Sequence, residues 1–317
     1  MAAPVCLIVN PSAGGGRAAR LAPEMESALR AQGLEVRRVD TRDLDHARSL
    51  ALEAARGGEI AAALSGDGLV RVIADALRDV PGARLAVLPG GRGNDLARVL
   101  EIPDETPGAT AVLAGGRPRP LDLGLVQELG REDAGRAFVG IASAGFDSDA
   151  NRIANEAPAW LGGLVYAYGA LRALLSWRPA RFELEFESGE RHTATGYSVA
   201  IANSRAYGGG MFVAPDAMLD DGMLDVVVSE RTSKLSFLKN LPRVFKGTHV
   251  ELPEVRVFRA ASVTVSADRP FVMYADGDPI GTLPVRVSAL PGAVTVIAPE
   301  RGSAALGPAP APAPAGG

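Results

Sequence analysis

The N-terminal third of the chain repeats one local plan: a short apolar run, a loop of small residues, then a helical pattern. Val5-Cys6-Leu7-Ile8-Val9 leads into Asn10-Pro11-Ser12-Ala13-Gly14-Gly15-Gly16. Ala61-Ala62-Ala63-Leu64 stops at Ser65-Gly66-Asp67-Gly68, and Leu69, Val70, Val72, Ile73, Ala76 and Leu77 then recur at helical spacing. Leu85-Ala86-Val87-Leu88 closes on Pro89-Gly90-Gly91-Arg92-Gly93, and a further helix begins over Asn94–Leu100. Another strand, Leu34–Val39, ends at Asp40-Thr41, between helices predicted over Arg20–Gln32 and Leu44–Ala55. This alternation implies an α/β fold with a parallel sheet and helices on both faces. The small-residue loops then gather on one edge, at the carboxyl ends of the strands, where open α/β sheets bind ligands. Glycines there let a phosphate approach backbone N–H groups, and a helix N-terminus favours its charge. Asp67 is the lone acid of its loop; it either acts on a phosphate or caps the following helix.

Beyond about Asp122 the pattern changes to strands: Phe138–Ala142, Phe182–Phe186, Ser198–Ala202, Leu224–Val228, Val263–Val265, Phe271–Tyr274, Val285–Val287 and Val294–Ile297. Helical stretches interrupt them at Trp160–Leu175 and Lys234–Phe245. The division expected is an α/β nucleotide-binding domain over 1–121, a β-rich sandwich over 122–300 that receives the substrate, and a disordered Pro/Ala tail over 301–317. Trp160–Trp177 reads as a helix half-buried in the second domain, with an interfacial helix as the alternative. Arg172 and three glycines interrupt any clean hydrocarbon span. All of the chain's lysines, Lys234, Lys239 and Lys246, fall in the other helical stretch with Arg243, either as a solvated face or as a patch for anionic head groups.

Composition narrows the function classes. A formal charge of −4 argues against a nucleic-acid partner. The single Cys6 excludes an intrachain disulfide and fits a reducing compartment, and the scattered His46, His192 and His249 have no metal-ligand spacing. No secretory leader is expected at a terminus that enters a strand almost at once. Two nucleotide motifs compete. Gly14-Gly15-Gly16-Arg17-Ala18-Ala19 fits a dinucleotide fingerprint, but four residues separate it from the strand where a tight turn is required. Nothing matches a P-loop.

The motifs resemble the diacylglycerol kinase catalytic-domain family, which includes bacterial lipid kinases and is related to sphingosine and ceramide kinases. Asn10-Pro11-Ser12-Ala13-Gly14 resembles its opening phosphate loop, and Ser65-Gly66-Asp67-Gly68-Leu69 its G-G-D-G-T signature. Pro89–Arg98 resembles P-x-G-T-G-N-D-F-A-R, and Asp122-Leu123-Gly124 and Gly145-Phe146-Asp147 resemble inter-domain motifs. Gly208-Gly209-Gly210-Met211, Pro215, Ala217 and Asp220–Asp225 resemble its G-G-G-M run, and Asp276-Gly277-Asp278 its D-G-E. The resemblance covers nearly the whole chain and implies transfer of the γ-phosphate of ATP, with Mg²⁺, to a lipid hydroxyl, most readily diacylglycerol. It places the active site between the two domains. The nucleotide would meet Asn10, Pro11, Ser12, Ala13, Gly14, Thr41, Ser65, Gly66, Asp67, Gly68, Leu69, Arg92, Asn94 and Asp95. Asp67 would be the acid nearest the transferred phosphate, and Asp276 or Asp278 would accept the hydroxyl proton. The Asp-Gly pair is also a hairpin-turn signal. A structural Mg²⁺ would take the Asp221 side chain and the carbonyls of Met218 and Met223; without the resemblance, the same acids read as a solvated turn.

The chain departs from the family pattern at Leu69 for threonine, Arg71 for glutamate, Arg92 for threonine and Asp278 for glutamate. Those departures keep a nucleotide-binding regulatory protein open as a different class of function, and NAD kinase is a second enzyme with a similar loop. A lipid kinase of this kind would be cytoplasmic and peripheral to the inner face of the membrane, with a lipid substrate as partner and a homodimer as a possible assembly.

Overall fold

A computed structural model describes residues 3–131, 135–146, 153, 172, 174, 177–301 and 303–308. The first part contains β1 (Val5–Val9), α1 (Ala13–Ala31), β2 (Val36–Asp40), α2 (Leu44–Arg56), β3 (Ile60–Ser65), α3 (Asp67–Leu77), β4 (Arg84–Pro89), α4 (Asp95–Val99) and α5 (Thr106–Gly115). The strands run parallel in the order β2-β1-β3-β4. The chain passes from β1 to one side and then to the other, so the carboxyl ends of β1 and β3 flank a topological switch point, where such sheets form a crevice. Helix α1 starts seven residues before the spacing predicted, and Gly14, Gly15 and Gly16 at its head have non-helical, left-handed φ of 60°, 65° and 88°.

The remaining strands are β5 (Arg117–Glu128), β6 (Arg136–Phe138), β7 (Ile141–Gly145), β8 (Ala180–Phe186), β9 (Arg191–Ala202), β10 (Leu224–Glu230), β11 (Val255–Ala260), β12 (Ser262–Ala267), β13 (Val272–Ala275), β14 (Asp278–Thr282) and β15 (Val285–Ala298). Among the described residues, helix α6 (Lys234–Val244) lies between them. They pair antiparallel in the order β14-β13-β7-β9-β8-β12-β15, and alternate residues of β8 point into a core holding Phe182, Leu184 and Phe186. The result is a parallel α/β sheet joined to a sandwich-like antiparallel part, the fold class expected.

Three sequence expectations change here. The strand predicted over Phe138–Ala142 breaks in two, because Val139 and Gly140 give their N–H groups to the Asp276 carboxylate instead of a ladder. Strand β5 runs through the boundary drawn at 121/122. It pairs with β15 from Arg117↔Ala298 to Glu128↔Val285, and β15 also lies parallel to β4 at Thr295 and Val296. The tail expected to be disordered from 301 is packed at its start: Ala305 and Leu306 are buried in the N-terminal core. The Ala305 carbonyl accepts from Leu219 N–H at 2.8 Å, and Gly307 N–H donates to the Asp220 carboxylate at 2.9 Å. Residues 309–317 and most of the Trp160–Leu175 stretch lie outside the described residues.

The loops after β1, β3 and β4 touch backbone to backbone. A Cβ on Gly91 would stand 2.4 Å from the Cα of Gly66, and one on Gly14 would stand 2.6 Å from the carbonyl oxygen of Gly90. Only the absence of side chains allows that approach. We expect Gly91→Ala to lower unfolding stability by about 1–3 kcal/mol, the usual cost of overpacking. Gly115→Ala, at the end of α5 with open space around it, should change stability by less than about 0.5 kcal/mol. Denaturant unfolding of the two variants checks this.

Candidate active site

The stacked glycine loops form one wall of the site. Asn10 shapes the first: its Oδ1 accepts from Ser12 N–H at 3.2 Å and from the Ser12 hydroxyl at 2.8 Å. Pro11 and Ser12 are exposed beside it, with Ala13 and Gly14 half-buried. Thr41, at the end of β2, is buried, and its N–H donates to Val9 at 2.7 Å, so it borders the same edge. In the third loop Asn94 takes a left-handed conformation (φ 53°). Its Oδ1 accepts from Gly91 N–H at 2.8 Å, and its amide reaches the Asp104 carboxylate at 3.2 Å. Arg17 spans the loops, donating to the Gly91 carbonyl at 3.2 Å and to Asp104 at 2.7 Å. Arg92 is exposed at the rim. Arg17 and Asp104 carried no sequence signal, because their pairing joins positions far apart in the chain.

Gly66 caps α3 in extended conformation, so Asp67 and Gly68 present the first turn of that helix to the crevice. Ser65 is buried, and its carbonyl accepts from Gly90 N–H at 2.9 Å. Leu69 is a core residue at 3 % exposure. Its side chain therefore cannot meet a nucleotide, which corrects its expected contact to the backbone alone. The reason is local: α3 packs on the sheet through this face.

Two carboxylates flank Gly93: a Cβ there would lie 3.0 Å from Asp67 Oδ2 and 3.1 Å from Asp95 Oδ2. Asp67 Oδ1 accepts from Leu96 N–H at 3.1 Å. Asp95 is buried, pairs with Arg98, and accepts from Gly209 N–H at 2.8 Å. Burial, reinforced by the nearby Asp67, raises its pKa, opposed by Gly209, Arg98 and Gly210. Asp95 thus holds the Gly208–Gly210 loop to the phosphate loops.

The sandwich part supplies the opposite wall. Asp276 and Gly277, with φ of 51° and 95°, form the two-residue turn between β13 and β14, the backbone twist that favours an Asp-Gly hairpin. Asp276 accepts from Val139 N–H at 2.8 Å and Gly140 N–H at 2.9 Å, and its carboxyl also feels the charges of Arg71 and Asp67. Asp278 Oδ2 lies 3.3 Å from where a Cβ on Gly68 would sit, and accepts from Arg71 at 3.1 Å. Arg71, on α3, is buried, and its Nε has no partner among the described residues. Asn203 completes the wall from below, donating to the carbonyls of Asp122 at 2.9 Å and Val139 at 2.8 Å. A fully buried asparagine at the end of an apolar strand was the signal that could have found it.

The acidic Asp220–Asp225 loop lies apart. Asp221 accepts from Met223 N–H at 2.9 Å and pairs with Arg259, while Asp220 pairs with Arg119 at 3.1 Å. Asp122 fastens the loop by accepting from Gly222 and Gly292 N–H, both at 2.6 Å. Among the described residues no group of three His, Cys, Asp or Glu side chains is placed to hold a metal ion. The Asp221, Met218 and Met223 set fits a divalent cation poorly here, because Arg259 already neutralises its one carboxylate. Of Gly145-Phe146-Asp147, Asp147 lies outside the described residues.

Comparison with known proteins follows this geometry. Residues 4–126 match the diacylglycerol kinase catalytic domain, and residues 140–298 match the YegS C-terminal NAD kinase beta sandwich-like domain. A protein named "Diacylglycerol kinase" from Mycobacterium tuberculosis is 35% identical over 305 residues, 94% of this chain and 96% of its own length. One named "Probable lipid kinase YegS-like" from Pseudomonas fluorescens is 33% identical, over 86% of this chain and 89% of its own. The crystal structure of a diacylglycerol kinase from Bacillus anthracis shares the fold, with a TM-score of 0.71, 19% identity, and coverage of 93% of this chain and 96% of that one.

Burial pushes the Asp276 carboxyl up from 3.8 to about 6, opposed by the N–H groups of Val139 and Gly140 and by Arg71. A carboxyl that is harder to ionise in the native state makes that state bind the extra proton between those values, so its contribution to stability declines as pH rises from 3.8 to about 6 and then levels off. The melting temperature of wild type relative to Asp276→Asn should therefore fall across that window. A pH-independent difference would mean that Asp276 titrates normally.

Proposed function

The chain belongs to the diacylglycerol kinase catalytic-domain family and is a lipid kinase, and we propose that it transfers the γ-phosphate of MgATP to the hydroxyl of diacylglycerol, giving phosphatidic acid and ADP. One observation carries this reading: the Asp278 carboxylate of the sandwich part lies against the Asp67-Gly68 turn of the α/β part. A phosphate bound at that turn is then beside a proton acceptor from the sandwich part.

In this reading the loops at Asn10–Gly14, Ser65–Gly68 and Gly90–Asn94 present backbone N–H groups and the N-terminus of α3 to the phosphates. Arg92 adds a cation at the rim. Asp67 stands nearest the transferred group, where it fixes the Mg²⁺ that arrives with ATP as part of the substrate. The lipid oxygen attacks the γ-phosphorus, the bond to the bridging β–γ oxygen breaks, ADP leaves, and the hydroxyl proton passes to Asp278. Positioning and charge neutralisation provide most of such a rate enhancement. Between the two candidate bases, reach favours Asp278, since Asp276 spends both oxygens on backbone N–H groups. Among the described residues no helix is long and apolar enough to cross a membrane, and the enzyme is proposed to work peripherally at the cytoplasmic face.

The pairing of Arg71 with Asp278 favours one second reading, a protein that binds nucleotide with little turnover, because a carboxylate held in an ion pair is less free to meet a lipid hydroxyl. Labelled phosphate transfer from ATP decides between them, with diacylglycerol in mixed micelles, sphingosine, ceramide and NAD as parallel acceptors. Label in phosphatidic acid is the expected result. Label only in another lipid changes the acceptor, label in NADP overturns the lipid reading, and intact ATP binding without label anywhere favours the second reading. Asp67→Asn and Asp278→Asn should each lower kcat by roughly 10²-fold or more, with melting temperatures near wild type. Full turnover in either variant removes that residue from the mechanism.

A further inference from the structure

Helix α6 carries two apolar stripes roughly a third of a turn apart. Phe237, Leu241 and Val244 line a cleft of about 90 Å³ over β9 and β10, where Ala200, Val213 and Val227 also contribute to the lining. That stripe explains why the helix docks at all. Along the adjoining stripe Leu235, Leu238 and, at the C-cap, Phe245 are exposed at 78 %, 41 % and 52 %, and with Pro242 they follow one another at intervals of three, four and three residues, a single helical stripe. No α6 residue is buried. A surface helix of a globular protein normally has one apolar stripe, turned to its core; the second stripe here meets water.

The charges around that stripe select its partner. Between Arg231 and Val250 the cations are Arg231, Lys234, Lys239, Arg243 and Lys246, without one acid, in a chain whose formal charge is −4. Arg243 is engaged by Glu251 at 3.1 Å from the next turn; Lys239 and Lys246 stand exposed beside the apolar stripe. The chain uses arginine everywhere else and keeps all its lysines for this segment. Lys234 sits in the first turn of α6, where a cation opposes the helix dipole, so helix stability does not account for it. Long lysine stems beside exposed leucine and phenylalanine can lie along an acyl boundary while their ammonium groups reach head groups. A second copy of the chain fits badly, since a two-fold contact on this face would bring the lysines against each other.

We infer that the outward stripe of α6 is the docking surface for an anionic bilayer, with Leu235, Leu238 and Phe245 entering the interface and Lys234, Lys239 and Lys246 pairing with acidic lipid head groups. The inference rests on the reading of the acceptor as a lipid, and it gives that reading a physical approach. The helix also roofs the cleft beside Tyr207 and Met211, which bracket the Gly208–Gly210 loop held by Asp95, so the docked face adjoins the candidate active site.

Vesicle co-sedimentation without ATP tests docking apart from catalysis. The full chain should sediment with phosphatidylglycerol-rich vesicles and far less with pure phosphatidylcholine, and added salt should release it. Lys239→Gln with Lys246→Gln should weaken the anionic-vesicle affinity roughly 25-fold, from about fivefold per lysine near a charged surface. Arg181→Gln with Arg191→Gln, an equal charge change on the exposed β8–β9 face, should change it less than twofold. Leu235→Ala, Leu238→Ala and Phe245→Ala together should abolish sedimentation while leaving the melting temperature and the phosphorylation of a dispersed short-chain acceptor unchanged. Wild-type failure to bind, equal loss in the Arg181/Arg191 control, or a dimer that the α6 variants dissolve would each overturn the assignment. Vesicle binding that depends on α6 in a protein that phosphorylates no lipid would leave the surface standing and remove the proposed reaction instead.

Discussion

The contact on which the rest depends is between two backbones. Gly66 and Gly91 approach so closely that no side chain fits between them, and Gly14 meets Gly90 in the same way. These contacts pull the carboxyl ends of β1, β3 and β4 into one edge and leave their loops with N–H groups and a helix terminus, rather than side chains, at the crevice. A phosphate needs that kind of surface, because several fixed dipoles solvate it without moving. The same contacts account for the small-residue composition of all three loops.

One aspartate joins the two parts: Asp95 of α4 accepts from Gly209 N–H. Within the sandwich part Asp276 holds Val139 and Gly140, and Asp122 holds Gly222 and Gly292. Each is an ionisable side chain fixed by N–H donors, and burial raises the cost of ionising all three. They are therefore costly unless the segments they fasten stay in place. Asp278 lies against Gly68 and accepts from Arg71, and Asp67 accepts from Leu96 N–H. A motif rich in aspartate is thus in good part architecture.

Much of this was legible because it is local. Strand and helix periods, glycine turns and the Asp-Gly hairpin are written in neighbouring residues, and they placed the parallel sheet and its loop edge. What could not be read is non-local. The long β5–β15 ladder joins positions separated by most of the chain, so a boundary drawn at a composition change cut through it. Leu69 looked like a phosphate-loop residue by position, but only packing reveals that its side chain faces the sheet. The packed Ala305-Leu306 segment sits in a low-complexity stretch whose composition gives no hint of the groove that receives it. Arg71 read as an isolated departure until α3 and the β13–β14 turn were seen to meet.

That meeting makes the departures one arrangement. A glutamate at position 71 would stand beside Asp276 and Asp278, adding a third carboxylate to a half-buried cluster where like charges resist ionisation. Arginine instead supplies a buried cation at 3.1 Å from Asp278 and lowers the Asp276 pKa against burial. Arg92 adds another cation at the nucleotide rim in place of a neutral threonine. Both changes move the crevice toward positive, the direction that favours a triphosphate, and the shorter reach of Asp278 is matched by an arginine long enough to hold it in place. The loss of a hydroxyl at Leu69 costs the site little in this setting, since the side chain there belongs to the core. The departures thus redistribute charge where α3 meets the β13–β14 turn, with Arg71 holding Asp278 against Gly68.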